Sequence, residues 1–313
     1  MSKTLSLIVP AFNEEEIIES SLDKLTSLIQ SMIKQKHISN KSQILVIDDG
    51  SVDNTWGLIK TISKKNKLIK AIKLSKNFGH QNAIIAGIEN SLDFDYSITL
   101  DIDLQDNPEK IIDMVEKANS GANIVYGVRD NRDSDSWFKR NSAAAFYKIM
   151  NWLGASTIPN HADFRLLDKK AMIELGKFTE HDLFVRGIVT QIGLKTDQVT
   201  YDRTPRTAGT SKYPLFKMFQ FAYNGLISFS IRPIRLVRNV GLLVAAVGIV
   251  YLIYTIIQKM NGNALPGWPS LIVSIWILGG LQLVAIGVVG EYIGSIFNEV
   301  KNRPRYIIET KIK

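Results

Sequence analysis

The sequence predicts an α/β fold with a mainly parallel sheet, followed by two membrane-spanning helices. Apolar runs alternate with amphipathic stretches from Leu5 to about Val128, and two long uncharged runs lie near the C-terminus. Alternating strands and helices are typical of a mainly parallel sheet with helices on both faces. Polar clusters also follow several of the apolar runs, where the strands of such a sheet line a ligand crevice.

Five apolar runs are predicted as strands and four amphipathic stretches as helices. The predicted strands are LSLIV, QILVID, IKAIKL, YSITLD and ANIVYGV. The predicted helices are Glu14–Lys36, Asn54–Lys65, Gly79–Ser91 and Pro108–Ser120. Proline suits the first turn of a helix, where its missing N–H is not needed. From Arg129 to Thr207 the pattern is less regular and richer in Arg and Lys, so no further element is predicted there.

Two apolar runs near the C-terminus predict membrane spans. Asn239–Gln258 and Trp268–Gly290 carry no charged residue. Each is close to the length of about 20 residues that crosses a bilayer as a helix. The alternative is a pair of buried helices in a soluble core, but two adjacent uncharged runs of this length favour the membrane.

Charge around the two runs predicts their orientation. Arg232, Arg235 and Arg238 flank the first run, a basic segment follows the second, and the loop between them carries only Lys259. By the positive-inside rule, we expect both termini to lie in the cytoplasm and the chain to be a multi-pass protein of the cell membrane. Tyr213–Leu236, rich in aromatic residues, suits amphipathic helices in the membrane interface, with an ordinary packed helix as the alternative.

These features divide the chain into four predicted parts. They are a cytoplasmic domain at 1–212, interfacial helices at 213–236, a transmembrane hairpin at 237–300 and a basic cytoplasmic tail at 301–313. In the second run, Gly290 and Gly294 have the spacing that allows close helix packing, so a homo-oligomer stays an open alternative.

Composition excludes several classes of site. The 313 residues include no cysteine, which excludes disulfides, thiolate zinc sites and cysteine nucleophiles. The four histidines show no metal-ligand spacing. The formal net charge is +8, and the basic residues concentrate beside the apolar runs. This placement favours an anionic membrane surface or a phosphorylated substrate over nucleic acid.

In the stretch SITLDIDLQDNPE, the carboxylates of Asp101, Asp103 and Asp106 lie within six positions at the end of a predicted strand. Asp101, Asp103 and Gln105 offer the oxygen ligands that Mg²⁺ or Mn²⁺ prefers, with a substrate diphosphate as the remaining ligand. Asp106 and Asn107 are good caps for the helix that follows. Capping does not explain Asp101 or Asp103, which we expect to join Asp48 and Asp49 at one edge of the sheet.

Other familiar nucleotide and hydrolase motifs are missing from the sequence. No G-x-G-x-x-G follows the first strand, no G-x-x-x-x-G-K-[ST] occurs, and no G-x-S-x-G elbow occurs. A Rossmann dehydrogenase, a P-loop nucleotidase and a serine hydrolase are therefore disfavoured.

An ordered set of motifs resembles one enzyme family. The motifs are SLIVPAFNEE, ILVIDDGSVDNT, LSKNFGHQNAIIAGI, LDIDLQDNPE, GVRDNRDSDSWFKR, HADFRLLDKKA and RTAGTSKYP. Together they resemble family 2 inverting glycosyltransferases with the GT-A fold, over nearly the whole chain. With two C-terminal spans, the chain is most similar to the dolichyl-phosphate mannose synthase-like branch and to bacterial polyprenyl-phosphate glycosyltransferases.

The resemblance implies roles for individual residues. Nucleoside contacts would come from Pro10, Phe12, Glu14, Asp48 and Asp49. Metal and donor diphosphate would be held by Asp101, Asp103 and Gln105. Lipid phosphate would be bound by Arg129, Arg132, Arg203, Arg206 and Lys212, for which a solvated basic face is the alternative.

Asp163 falls where the family places an acid on the acceptor side. A phosphate monoester has a second pKa near 6, so a lipid phosphate is already largely dianionic at neutral pH and needs little help from a base. We therefore expect Asp163 to orient the acceptor or the sugar, with a helix cap or an ion-pair partner as the alternative. The sequence departs from the family pattern at Asn107, where proline is common, and at His80, where lysine often occurs.

The resemblance implies transfer of a hexose from a nucleotide sugar to undecaprenyl or another polyprenyl phosphate, at the cytoplasmic membrane face. UDP-glucose and UDP-N-acetylglucosamine are the expected donors, and a GDP-mannose enzyme is an alternative. A processive polysaccharide synthase is disfavoured because no Q-x-x-R-W motif occurs. A non-catalytic membrane-bound scaffold is the remaining alternative, and the intact D-x-D argues against it.

Overall fold

The computed structural model describes residues 2–129, 161–180, 185–202, 232–261 and 267–312. The chain divides into two compact units, one that contains the sheet and one that contains the two long apolar helices. The predicted site residues Arg132, Arg203, Arg206 and Lys212 and nearly all of the predicted interfacial helices lie outside the described residues.

The first unit is built on one mixed sheet, which has eight strands among the described residues. They are β1 (Leu5–Ala11), β2 (Gln43–Asp48), β3 (Ile69–Leu74), β4 (Tyr96–Thr99), β5 (Ile124–Arg129), β6 (His161–Asp168), β7 (Thr196–Tyr201) and β8 (Ile308–Ile312). Their order across the sheet is β7-β5-β6-β4-β1-β2-β3-β8.

The central strands β3, β2, β1 and β4 are parallel, as is the pair of β5 and β7. The strand β6 runs antiparallel between β4 and β5, and β8 runs antiparallel along β3. The expected α/β fold with a mainly parallel sheet is confirmed.

Helices connect the strands of this unit. They are α1 (Ile18–Lys34), α2 (Thr55–Lys65), α3 (His80–Glu89), α4 (Ile111–Asn119), α5 (Lys169–Gly176) and α6 (Val185–Gln191). A short 3₁₀ turn at Pro108–Lys110 precedes α4, so the last predicted helix begins with a tighter turn. The other three predicted helices are shorter at one or both ends than the sequence predicts; the first begins at Ile18 rather than Glu14.

The core forms because the helices present one apolar face to a sheet that is buried on both sides. All seven residues of β1 are buried. The buried positions of α1 recur with the helical period, from Ile18 through Leu22, Leu25 and Ile29. The helix α3 lies close against the sheet at Gly87, where an added Cβ would lie 2.2 Å from Ile8 Cγ2.

The C-terminal segment is part of this sheet rather than a separate tail. The sequence places 301–313 outside the folded domain, whereas the structure pairs β8 with β3 and packs Ile312 against the core. Arg305 donates to the Phe178 carbonyl at 2.9 Å and to Glu89 at 2.5 Å, and Lys311 donates to Asn90. The physical reason is that β8 covers β3, which would otherwise be an unpaired edge.

The second unit contains two long apolar helices, α7 (Arg232–Met260) and α8 (Trp268–Val300). Each includes a stretch long and apolar enough to cross a membrane, Val237–Gln258 and Ile277–Val300. Neither stretch is buried, and Leu243 and Leu283 are 65% and 72% exposed. Exposed apolar surface of this extent does not fit the alternative of two helices in a soluble core. The second stretch lies further along the chain than the predicted run.

Candidate active site

The carboxyl ends of β1 and β2 bring the predicted nucleotide-binding residues together. Pro10 lies in β1 opposite Ile47, and Ala11 is in register with Asp48 at the end of β2. Asp48 is buried, and burial raises its pKa. The backbone N–H of Glu14 donates to Thr55 Oγ1 at 2.8 Å, which fixes the turn after β1 against the start of α2. Phe12, in the same turn, is exposed.

Asp49 holds the loop that leads into α3. Its two carboxylate oxygens accept hydrogen bonds from the backbone N–H groups of Phe78 at 2.8 Å and Gly79 at 2.9 Å. Burial raises the pKa of Asp49 although these two bonds oppose the shift. Both oxygens of this predicted nucleotide ligand thus contact the protein backbone, and they place the first residue of α3 at the sheet edge.

His80, at the start of α3, lies between two carboxylates. Its Nε2 is 3.4 Å from Asp101 Oδ1 and 3.5 Å from Asp163 Oδ2. Burial raises the pKa of Asp101 to about 6 against the opposing charge of His80. Burial alone would lower the pKa of His80, but the hydrogen bond to Asp163 and the charge of Asp101 outweigh it and raise that pKa to about 9.

Asp163 lies in β6 and is enclosed by cationic and amide donors. Arg165 Nη2 donates to its Oδ1 at 2.5 Å. Arg186, from α6, donates through Nε to Oδ1 at 3.0 Å and through Nη2 to Oδ2 at 2.7 Å. Gln81 Nε2 lies 3.4 Å from Oδ2, and Thr99 in β4 donates to the Asp163 carbonyl. These contacts tie β4, β6, α3 and α6 together at one point.

The donors keep Asp163 ionised although it is buried. Burial would raise its pKa, but the hydrogen bonds from His80 and Arg186 and their charges hold it well below its usual range. Arg165 is fully buried, and burial lowers its pKa even though Asp163 opposes the shift. The ion-pair alternative for Asp163 therefore describes its contacts, and a helix cap does not.

The turn after β4 carries the other residues of the D-x-D stretch. The backbone N–H of Gln105 donates to Asp103 Oδ1 at 3.2 Å, and Leu104 between them has a φ of +49°. Asp106, which is 2% exposed, accepts from Arg129 Nε at 3.0 Å and Nη2 at 3.2 Å. Two nitrogens of this predicted lipid-phosphate ligand therefore bind a carboxylate of the protein.

Asn107 is the cap that the sequence predicts at this helix start. Its Oδ1 accepts from the backbone N–H of Glu109 at 3.0 Å. Asp106, the other candidate cap, binds Arg129 instead. Neither contact involves Asp101 or Asp103, so capping leaves these two carboxylates for another role.

The carboxylates after β4 could hold a divalent cation only together with oxygen atoms of a substrate. Among the described residues, no group of three or more His, Asp or Glu side chains could hold a metal. Asp101 Oδ1 is buried, and in the described part of the chain no donor makes a hydrogen bond to it. Mg²⁺ is commonly bound through one or two carboxylates plus substrate phosphates, which is the arrangement that Asp101 and Asp103 allow.

Sequence reasoning missed three members of this site. Arg165, Arg186 and Gln81 were not predicted, and His80 was noted only as a departure from the family pattern. Arg186 lies 23 positions after Asp163, on a helix that the sequence did not predict. The two side chains meet only through the tertiary fold, which no local spacing reveals.

Comparisons with protein families match both units. Residues 6–176 match the family described as Glycosyl transferase family 2. Residues 232–296 match the family described as GtrB C-terminal hairpin. The first match spans more than half of the chain.

Curated relatives align over almost the whole chain. The uncharacterized glycosyltransferase YkoT of Bacillus subtilis (strain 168) is 48% identical over 97% of this chain and 91% of its own length. The bactoprenol glucosyl transferase of Shigella phage SfII is 39% identical, over 97% of both proteins. The prophage bactoprenol glucosyl transferase homolog of Escherichia coli (strain K12) is 38% identical over 97% of this chain and 98% of its own.

Among solved structures, the mannosyl-3-phosphoglycerate synthase from Rubrobacter xylanophilus is similar in fold. It superposes with a TM-score of 0.50 at 15% identity, over 74% of each chain. At this identity, the likeness concerns the fold alone.

Proposed function

The chain belongs to glycosyl transferase family 2, and on this premise we propose that it transfers glucose from a nucleotide sugar to polyprenyl phosphate. UDP-glucose is the proposed donor, and the bactoprenol glucosyl transferases with 38–39% identity favour glucose over the alternatives UDP-N-acetylglucosamine and GDP-mannose. The observation that carries the proposal is that Asp101, just after the carboxyl end of β4, lies on the other side of His80 from Asp163 and its cationic partners.

The proposed reaction needs no proton transfer to the protein. An oxygen of the lipid phosphate dianion attacks the anomeric carbon of the sugar, while the bond from that carbon to the donor diphosphate breaks. The electron pair leaves with the nucleoside diphosphate, and the configuration at the sugar inverts. Because the attacking phosphate is largely dianionic at neutral pH, the task of the site is to hold two anionic groups in line.

The carboxylates after β4 have the proposed role of holding Mg²⁺ or Mn²⁺. Asp101 and Asp103 would supply the charged oxygens and Gln105 a neutral one. A divalent cation bound there would stabilise the charge that develops on the leaving diphosphate. In the same proposal, Pro10, Phe12, Glu14, Asp48 and Asp49 form the nucleoside side of the site, and Asp49 does so by fixing the loop before α3.

The proposed acceptor side of the site is basic. Arg129, Arg132, Arg203, Arg206 and Lys212 are the proposed lipid-phosphate residues, and Arg suits the bidentate geometry of phosphate. The positive-inside pattern supports a multi-pass orientation with both termini and the sheet-containing unit in the cytoplasm. In this proposed orientation, the reaction takes place at the cytoplasmic face of the membrane.

A transfer assay with a panel of donors tests the proposal. Purified protein in detergent receives polyprenyl phosphate, one labelled donor (UDP-glucose, UDP-N-acetylglucosamine, UDP-galactose or GDP-mannose) and Mg²⁺ or Mn²⁺. We expect label in the organic phase with UDP-glucose and none when EDTA replaces the metal. Transfer from another donor alone would reassign the sugar, and transfer from none would favour the scaffold alternative.

A second measurement separates the lipid side from the donor side. Replacing Arg203 and Arg206 by alanine should raise the KM for polyprenyl phosphate far more than the KM for UDP-glucose. An equal rise in both KM values would point to a structural role. Lys60→Ala, on the exposed face of α2, is the matched control and should change neither.

A further inference from the structure

We propose that Arg186 binds a phosphate oxygen of a substrate and that Asp163 acts by positioning Arg186 rather than as a base. The inference deepens the proposed function and rests on it. Neither Arg186 nor its helix α6 is among the residues that the sequence assigns to the site. Two observations support the inference: the number of hydrogen-bond donors around Asp163, and the difference in solvent exposure between its partners Arg165 and Arg186.

The carboxylate of Asp163 is saturated with donors. Oδ1 accepts from Arg165 Nη2 and Arg186 Nε, while Oδ2 accepts from Arg186 Nη2. Gln81 Nε2 and His80 Nε2 also lie within 3.5 Å of Oδ2. A carboxylate has about four lone-pair sites, and the arginines occupy three of them at 2.5 to 3.0 Å. A carboxylate held in this way by two cations is a poor acceptor for a substrate proton.

The two arginines around Asp163 differ in what they can reach. Arg165 has no exposed side-chain surface, whereas the Arg186 side chain is 35% exposed. Arg165 therefore anchors the carboxylate from inside the core. The guanidinium of Arg186 is held in one orientation by two hydrogen bonds to Asp163. Because it is already ordered, it loses less conformational entropy when it binds an anion.

Arg186 is also close to the proposed reaction centre. The carboxylate that holds it lies on one side of His80, and Asp101 lies on the other, both within 3.5 Å of the same His80 nitrogen. Substrate bound near Asp101 carries phosphate, and a guanidinium matches phosphate through paired N–H groups. Both the donor diphosphate and the lipid phosphate present this chemistry, so the experiment has to distinguish them.

The test is a double-mutant cycle on the full chain in detergent. Arg186→Gln, Asp163→Asn and the double variant are compared for kcat and for the KM of each substrate. We expect Arg186→Gln to raise one KM by roughly 10- to 100-fold, the worth of one charge-assisted hydrogen bond, with a smaller change in kcat. A rise for polyprenyl phosphate assigns Arg186 to the acceptor, and a rise for UDP-glucose assigns it to the donor.

Non-additivity is the decisive readout. If Asp163 acts through Arg186, the double variant loses no more activity than the worse single variant. If Asp163 were a base, Asp163→Asn would lower kcat by roughly 10²- to 10⁴-fold on its own, and this loss would multiply with that of Arg186→Gln. The second result overturns the proposal.

Two further variants keep the test decisive. Asp163→Asn leaves the buried Arg165 beside a neutral side chain and destabilises the domain, so Arg186→Lys is measured as well. Lysine keeps the positive charge but lacks the paired N–H groups of the guanidinium. The KM of Arg186→Lys should therefore lie between that of the unmodified protein and that of Arg186→Gln. Lys177→Gln, an exposed cation at the end of α5, should leave both KM values unchanged. An unchanged KM in Arg186→Gln overturns the proposal, whereas no transfer by the unmodified protein overturns the proposed function instead.

Discussion

Gly50, in the turn after β2, allows the backbone of a neighbouring loop to approach closely. It has a φ of +69°, and a Cβ built on it would lie 2.3 Å from the carbonyl carbon of Lys76 and 2.6 Å from the nitrogen of Asn77. Ordinary contact begins at 3.4 Å, and both neighbours are backbone atoms that cannot rotate away. We therefore expect Gly50→Ala to destabilise the first unit strongly.

The size of the effect follows from two contributions. A left-handed backbone conformation costs a non-glycine residue about 1–2 kcal/mol. Overpacking against a rigid neighbour adds about 1–3 kcal/mol. Gly193 has nearly the same φ, +70°, but its nearest neighbour to an added Cβ is at 4.0 Å. Gly193→Ala is thus a matched control that has the first contribution without the second.

Thermal unfolding of the full chain in detergent, followed by tryptophan fluorescence, measures the difference. At about 3 °C per kcal/mol for a domain of this size, Gly50→Ala should unfold roughly 3–9 °C below Gly193→Ala. Gly50→Ala should also weaken donor binding, because the displaced loop continues into Phe78 and Gly79, which donate to Asp49. Equal unfolding temperatures for the two variants would refute the close approach of the loop.

Three further substitutions test other contacts. Asp103→Asn should abolish transfer, while the unfolding temperature measured without metal stays within about 1 °C of the original, since asparagine keeps an oxygen that can accept from the backbone of Gln105; near-normal turnover would contradict the role in holding metal. Arg129→Gln should lower the stability by about 3–5 kcal/mol, measured by denaturant unfolding, because Asp106 stays buried without its ion-pair partner. Arg305→Gln removes the donor to Glu89 and should make the C-terminal strand more accessible to carboxypeptidase; an unchanged cleavage rate would show that strand pairing alone holds it.

The sequence predicts the parts of the fold that depend on local pattern. Strands β1 to β5 and helices α1 to α4 follow from continuous apolar runs and amphipathic stretches, and Asp101 follows from its place after β4. The strands β6, β7 and β8 were missed. The strand β8 pairs with β3 across more than 230 positions, and its sequence IETKI has only two inward apolar residues.

The contacts of the candidate site were harder to predict than its members. Asp49 was expected to face a nucleotide, but its oxygens bind the backbone of residues 78 and 79. Asp163 was expected to orient a substrate or to pair with a cation. Of its two arginine partners, Arg165 lies two positions further along β6, whereas Arg186 comes from α6 and is brought to Asp163 only by the tertiary fold. A partner such as Arg186 depends on tertiary packing, which a sequence pattern does not encode.

The most direct test of glucosyl transfer to a lipid phosphate is the structure of the product. Purified protein is incubated with UDP-glucose, polyprenyl phosphate and Mg²⁺, and the lipid product is examined by mass spectrometry and by NMR of the anomeric proton. An inverting transfer from the α-linked donor predicts a polyprenyl phosphate that carries one β-linked glucose. An α-linked product, or no glycolipid from protein that still binds UDP, would contradict the proposal.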